Sequence, residues 1–114
     1  MKIRFNSVEE WRAELDRDGP AHGYVRVTRM YVPLPWPTFL YRVGVIAAYT
    51  NRVGHVIELC QECGEATSNA DSVSVATAKR AEELMDLIAL LLRERNLEER
   101  GGYFTDEDLP ADKT

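Results

Sequence analysis

Lys2-Ile3-Arg4-Phe5 alternates polar and apolar residues with the two-residue period of a short edge strand. The period then changes. Ser7-Val8-Glu9-Glu10 has the form of a capping box, in which the Ser7 hydroxyl accepts from the Glu10 amide. Val8, Trp11 and Leu15 follow at i, i+3 and i+7, one apolar stripe along a helix. Gly19-Pro20 stops it, because proline cannot donate and disfavours a helical residue before it. The spacing predicts a helix over residues 7 to about 18.

Residues 22–60 are rich in β-branched and aromatic residues. Over residues 24–32, Val25 and Val27 share one face, with Tyr24, Arg26 and Thr28 on the other. Pro33, Pro35 and Pro37 then require an extended connection or an edge. Residues 39–50 read as a second strand, with Leu40, Ile46 and Ala48 against Tyr41, Val43, Val45 and Tyr49. Gly44 marks a bulge or a close backbone approach. Asn51-Arg52-Val53-Gly54 supplies a turn and residues 55–60 a third strand. Such short connections favour an antiparallel meander.

The polar stretch 61–70 reads as a loop. A long helix follows, capped by Asp71 or Ser72, ending near Arg100 and stopped by Gly101-Gly102. Leu84, Met85, Leu87, Ile88, Ala89, Leu91 and Leu92 span an arc of about 200° on this helix, and Leu90 lies outside even that. Covering a small sheet takes a stripe of about 100°. The excess must meet either the first helix, through Trp11 and Leu15, or another molecule; in the second case the chain self-associates, with Leu87, Leu90 and Leu91 at a homodimer interface.

The order is therefore (β)αβββα. It predicts an α+β domain over residues 1–102, with a three- or four-stranded antiparallel sheet covered on one face by two helices. Residues 103–114 are acidic, contain Pro110 and have no periodicity, and a disordered tail is expected.

Composition adjusts this picture in a few places. With 114 residues, 45% hydrophobic, a single globular domain is expected. The longest uninterrupted apolar run, 87–92, is far short of the roughly 20 residues that span a bilayer. The first residues lack the apolar core of a secretory signal, so no membrane partner and a cytoplasmic setting are expected. The net charge of −5 disfavours a general polyanion binder. The charge is uneven: residues 1–57 hold eight basic and five acidic residues, whereas 58–114 hold six basic and fourteen acidic.

Cys60-Gln61-Glu62-Cys63-Gly64 has the spacing of half a zinc knuckle. A closed structural site takes four ligands, so Cys60 and Cys63 could form one only across a two-fold axis between subunits. No metal or other cofactor is expected. GxSxG, phosphate-binding glycine loops and HExxH are all missing, and no catalytic residue is assigned.

Between Gly19 and Ile57 the chain holds four arginines and no Asp or Glu, together with four of its five tyrosines and Trp36. Arginine beside exposed aromatics suits a protein hot spot and also a single-stranded nucleic-acid platform. Tyr24, Arg26, Trp36, Tyr41, Arg42 and Tyr49 are the candidate binding residues. Trp36 belongs to the Pro33–Pro37 loop; the other five, facing solvent, would share a sheet surface if Val25, Val27, Leu40, Ile46 and Ala48 were buried, and this depends on the Gly44 bulge.

Gly19-Pro20-Ala21-His22 resembles the GPxH loop of double-stranded-RNA-binding domains, whose elements run αβββα. Ala78-Lys79-Arg80-Ala81 is similar to the Lys-Lys-x-Ala-like start of that family's last helix. In that family the GPxH loop joins the first and second strands, whereas here it directly follows the first helix. The segment from it to the last helix is also about twice as long. The resemblance implies nucleic-acid binding.

The leading expectation is a small non-catalytic protein-binding module of the adaptor, inhibitor or immunity type, with another protein as partner. A nucleic-acid-binding domain comes second, and a small-ligand-binding or enzymatic domain third.

Overall fold

A computed structural model describes residues 1–35, 40–67 and 74–101. The elements are β1 (Lys2–Phe5), α1 (Val8–Arg17), β2 (Tyr24–Pro33), β3 (Leu40–Thr50), β4 (Val56–Thr67), α2 (Val75–Glu94) and β5 (Glu98–Arg100). The fold is α+β, with one five-stranded sheet in the order β1-β4-β3-β2-β5. β2, β3 and β4 form the antiparallel meander. β1 and β5 flank it, each parallel to its neighbour. The expected purely antiparallel sheet is thus corrected to a mixed one. The short turns do make antiparallel pairs, but the helices carry the chain back across the sheet and deliver the outer strands in parallel.

Helix α1 forms where the capping box places it. Ser7 is its N-cap, extended at φ −118° and ψ 130°, and its hydroxyl accepts from the Glu10 amide at 3.5 Å. Helix α2 begins later and ends earlier than the sequence suggests. Its N-cap is Ser74, whose hydroxyl accepts from the Thr77 amide at 3.1 Å; Asp71 and Ser72 lie outside the described residues.

At its other end Asn96 takes the left-handed conformation at φ 56°. The Asn96 amide donates to the Arg93 carbonyl and the Leu97 amide to the Leu92 carbonyl, which is a Schellman motif. Residues 98–100, read as the last helical turn, are therefore freed to pair with β2. The stretch 61–67, read as loop, is the second half of β4. Its polar residues sit there because β3 continues beyond the bulge and offers a ladder to pair with.

Both helices lie on one face of the sheet. Trp11 and Leu15 from α1 and Ala81, Leu84, Ile88 and Leu92 from α2 pack on Val25, Val27, Val45, Ala47, Tyr49, Ile57 and Leu59. Trp11 meets Tyr49 edge-on at 6.1 Å between ring centroids. Arg95 and Asp16 form an ion pair that ties the end of α2 to α1, and the Arg95 guanidinium holds the Asp16 carboxyl below its usual range. No helix among the described residues is long and apolar enough to cross a membrane.

The register corrects one face assignment. The ladder between β3 and β4 shifts between Val43 and Gly44, and the extra residue is Cys63 of β4. β3 itself therefore alternates without interruption. Val43, Val45, Ala47 and Tyr49 face the helices, while Arg42, Ile46 and Ala48 face the other way. Gly44 marks a close approach, since a Cβ there would lie 2.5 Å from the Gln61 carbonyl oxygen.

Candidate functional site: the helix-free face of the sheet

Among the described residues no helix covers the second face of the sheet, and it presents the even-numbered residues of β1, β2, β3, β5 and the first part of β4. Its floor is apolar. Ile46 is 2% exposed and stands in register between Thr28 and Cys60, and Ala48 stands between Arg26 and Glu58. β3 is thus buried on both sides, which is why hydrophobic alternation could not assign its faces.

Around this floor the charges alternate in sign. Glu58, the third residue of β4, is fully buried, with Lys2 Nζ and Arg4 Nε each 3.6 Å from its carboxylate oxygens. Burial pushes the Glu58 carboxyl above its usual range, and the two cations only partly offset this. Arg42 Nε meets Glu62 Oε1 at 2.9 Å. At the opposite edge Arg100 Nη2 meets Glu98 Oε2 at 3.2 Å, and the same guanidinium lies 3.9 Å over the Tyr24 ring. His22 stacks on Tyr24 with 6.1 Å between centroids. The Tyr24 ring is therefore already engaged within the chain.

Two open depressions interrupt the surface. One, of about 370 Å³, is lined by Arg4, Met30, Val32, Arg42, Cys60 and Glu62 among others. A smaller one, of about 160 Å³, lies between His22, Tyr24, Arg26 and Ala48.

Of the candidate binding residues, Tyr24, Arg26 and Arg42 lie on this face, with Arg42 opposite Val32, six residues along β2 from Arg26. Tyr41 and Tyr49 do not, because they share strand parity with the core residues of β3. Tyr49 is 4% exposed against Trp11, and burial beside the Glu14 and Asp18 carboxylates raises its phenol well above the usual range. Trp36 lies outside the described residues, as does the tail 103–114. On α2, Leu87 and Leu90 are exposed at 42% and 46%, whereas Leu91 is 5% exposed and belongs to the interior. An interface using all three leucines is corrected to one that could use only Leu87 and Leu90.

The two cysteines are separated by the sheet. Cys60 Sγ lies 3.8 Å from Met30 Sδ on the helix-free side. Cys63, the bulge residue, packs in the core, where burial pushes its thiol up and Arg80 and Arg29 partly offset the shift. One chain therefore cannot offer both thiolates to one metal. Among the described residues, no three His, Cys, Asp or Glu side chains are grouped to hold an ion.

Glu58, Lys2, Arg4 and Arg100 were not among the sequence candidates. A lone glutamate between Ile57 and Leu59 was the available signal for the first. Arg100 was hidden by its assignment to the helix. Comparison of the chain with protein-family models, with curated proteins and with solved structures finds no match.

Proposed function

We propose that the chain is a non-catalytic protein-binding module that engages its partner through the helix-free face of the sheet. The observation that carries this reading is the charge mosaic over an apolar floor. Lys2, Arg4, Arg42 and Arg100 each have a carboxylate within 3.6 Å, and Ile46 and Ala48 lie beneath. A phosphate backbone is held by surplus positive charge, released as counterions, and internal carboxylates remove most of that surplus. A protein partner instead gains from a mixed pattern, which fixes register and rejects wrong partners, around a desolvated centre. The Tyr24 ring, lying under Arg100, is also poorly placed to stack on a base.

Affinity capture from the native cell, with and without nuclease, tests the proposal. A protein retained after nuclease treatment supports it. Retention of nucleic acid alone, lost as salt is raised, would replace it with the nucleic-acid reading that the Gly19-Pro20-Ala21-His22 resemblance favours.

A further inference from the structure

The five strands are unequal in length, and this leaves sheet edges open. β1 covers β4 only along Val56–Leu59, and β5 covers β2 only along Tyr24–Arg26. Most of these edges carry features that discourage strand addition. β1 is four residues long and bears Lys2 and Arg4, and β5 is the wholly charged Glu98-Glu99-Arg100. β4 beyond Leu59 is interrupted by the Cys63 bulge and presents exposed Glu62 and Glu65. β2 beyond Arg26 is different. Its ladder with β3 runs unbroken to Pro33, and among the described residues no strand pairs with its outer side there. Tyr31 and Val32 are exposed on it, and Arg29 is 3.5 Å from Glu82 of α2.

Two hydrogen bonds show which backbone groups point outward. The Glu98 amide donates to the Gly23 carbonyl on the β5 side, and the Leu34 amide donates to the Leu40 carbonyl on the β3 side. Odd-numbered residues of β2 therefore turn their N–H and C=O outward, and even-numbered ones turn theirs toward β3. Arg29 and Tyr31 offer the outward groups. Pro33 belongs to the same outward set, so its missing N–H costs the β3 ladder nothing.

We propose that a second copy of this chain adds antiparallel to β2 about a two-fold axis at Met30, joining two sheets into one of ten strands. In this register Arg29 stands opposite Tyr31 of the second copy, and the two residues exchange a pair of hydrogen bonds, four in all. Each guanidinium then lies beside a tyrosine ring across the strands. The neighbouring registers are worse. An axis at Arg29 sets two arginines opposite each other, and an axis at Tyr31 sets Pro33, which has no N–H to donate, against Arg29, whereas the Met30 axis sets it against Val27 at the end of the pairing. The pairing is isologous, so it closes at two copies. It leaves both helix-free faces on the same side and does not depend on what they bind.

Sedimentation and cross-linking of the full chain test this. Wild type should sediment at twice its 13.0 kDa at micromolar concentration. Met30 faces its own copy as a non-hydrogen-bonded pair, with Cα atoms about 4.5 Å apart, within disulfide range. In a Cys60→Ser, Cys63→Ser background, Met30→Cys should therefore give an oxidised dimer. Val32→Cys, opposite Thr28 of the second copy, should not. Tyr31→Pro removes two of the four bonds while sparing the β3 ladder, and should weaken the dimer at least about tenfold. Leu90→Glu should leave the dimer intact. A monomer would overturn the proposal, and a monomer whose Arg29 and Tyr31 amides resist hydrogen exchange would give the edge to the chain's own residues 102–114. Cross-linking of Val32→Cys in place of Met30→Cys would overturn the register. Dissociation by Leu90→Glu but not by Tyr31→Pro would move the interface to α2. Should Tyr31→Pro fail to fold, the two cysteine variants still decide.

Discussion

Gly44→Ala is the substitution that most sharply probes the register on which the helix-free face depends. The added Cβ would lie 2.5 Å from the Gln61 carbonyl oxygen and 2.9 Å from Met30 Cε. Met30 is the end of a flexible side chain and can move aside. The Gln61 carbonyl is backbone, held in the β3–β4 ladder next to the Cys63 bulge. Ordinary contact begins at 3.4 Å, so β3 and β4 must part locally by roughly 0.9 Å, enough to weaken at least one ladder hydrogen bond. Overpacking and a lost bond together cost about 2 kcal/mol. With an m-value of about 1.5 kcal/mol/M, the urea midpoint should fall by roughly 1.3 M at unchanged slope. Gly54→Ala is the control. Gly54 sits at φ +89° with nothing within 4 Å of a built Cβ, so only backbone strain of about 1 kcal/mol is expected. A Gly44→Ala protein as stable as wild type, or more stable than Gly54→Ala, would refute the close approach and with it the assignment of Arg42, Ile46 and Ala48 to the helix-free face.

Other outcomes follow from the same structure. Because burial raises the Glu58 carboxyl, its protonated form stabilises the fold fully below the ordinary value of 4.5, and that contribution is lost as pH rises through the raised value. Glu58→Gln should therefore gain on wild type between pH 4 and pH 7.5 in chemical denaturation; a gap that narrows with pH would contradict this. Ile88→Ala, at a fully buried position, should cost about 3 kcal/mol, and Leu90→Ala, half exposed, under about 0.5 kcal/mol; equal losses would mean that α2 is rotated from the orientation described. Metal analysis of untagged protein should find well under one zinc per chain, and Cys60→Ser with Cys63→Ser should fold. About half an equivalent would instead require thiolates from two subunits.

What the sequence made legible was local chemistry. The N-cap at Ser7, the stop at Gly19-Pro20 and the turn at 51–54 each appear where residue types require them. The antiparallel meander and the placement of both helices on one face followed from short connections and one apolar face. The failures share a cause, namely that a non-local partner decided the outcome. Residues 61–67 and 98–100 have no strand pattern and become strands only because β3 and β2 offer them ladders. The end of α2 was readable in principle, because Asn is the commonest substitute for glycine at a left-handed C′ position. The faces of β3 were not readable, since residues 43–49 are buried throughout and the extra bulge residue belongs to the neighbouring strand. Of the candidate surface, Tyr24, Arg26 and Arg42 share a face, Tyr41 and Tyr49 lie on the other and Trp36 is outside the described residues; the carboxylates beside Arg42 and Arg100 come from β4 and β5.

The central claim is that the helix-free face binds a protein. The most direct measurement is the affinity of the captured partner for four forms of the chain: wild type, Arg26→Glu with Arg42→Glu, Ala48→Arg, and Leu90→Glu as a surface control remote from the face. Reversing two charges of the mosaic, or filling its apolar floor at Ala48, should weaken binding at least about tenfold each, while Leu90→Glu stays within about twofold of wild type. Unchanged affinity in both face variants, with loss confined to Leu90→Glu, would contradict the claim and place the partner on α2.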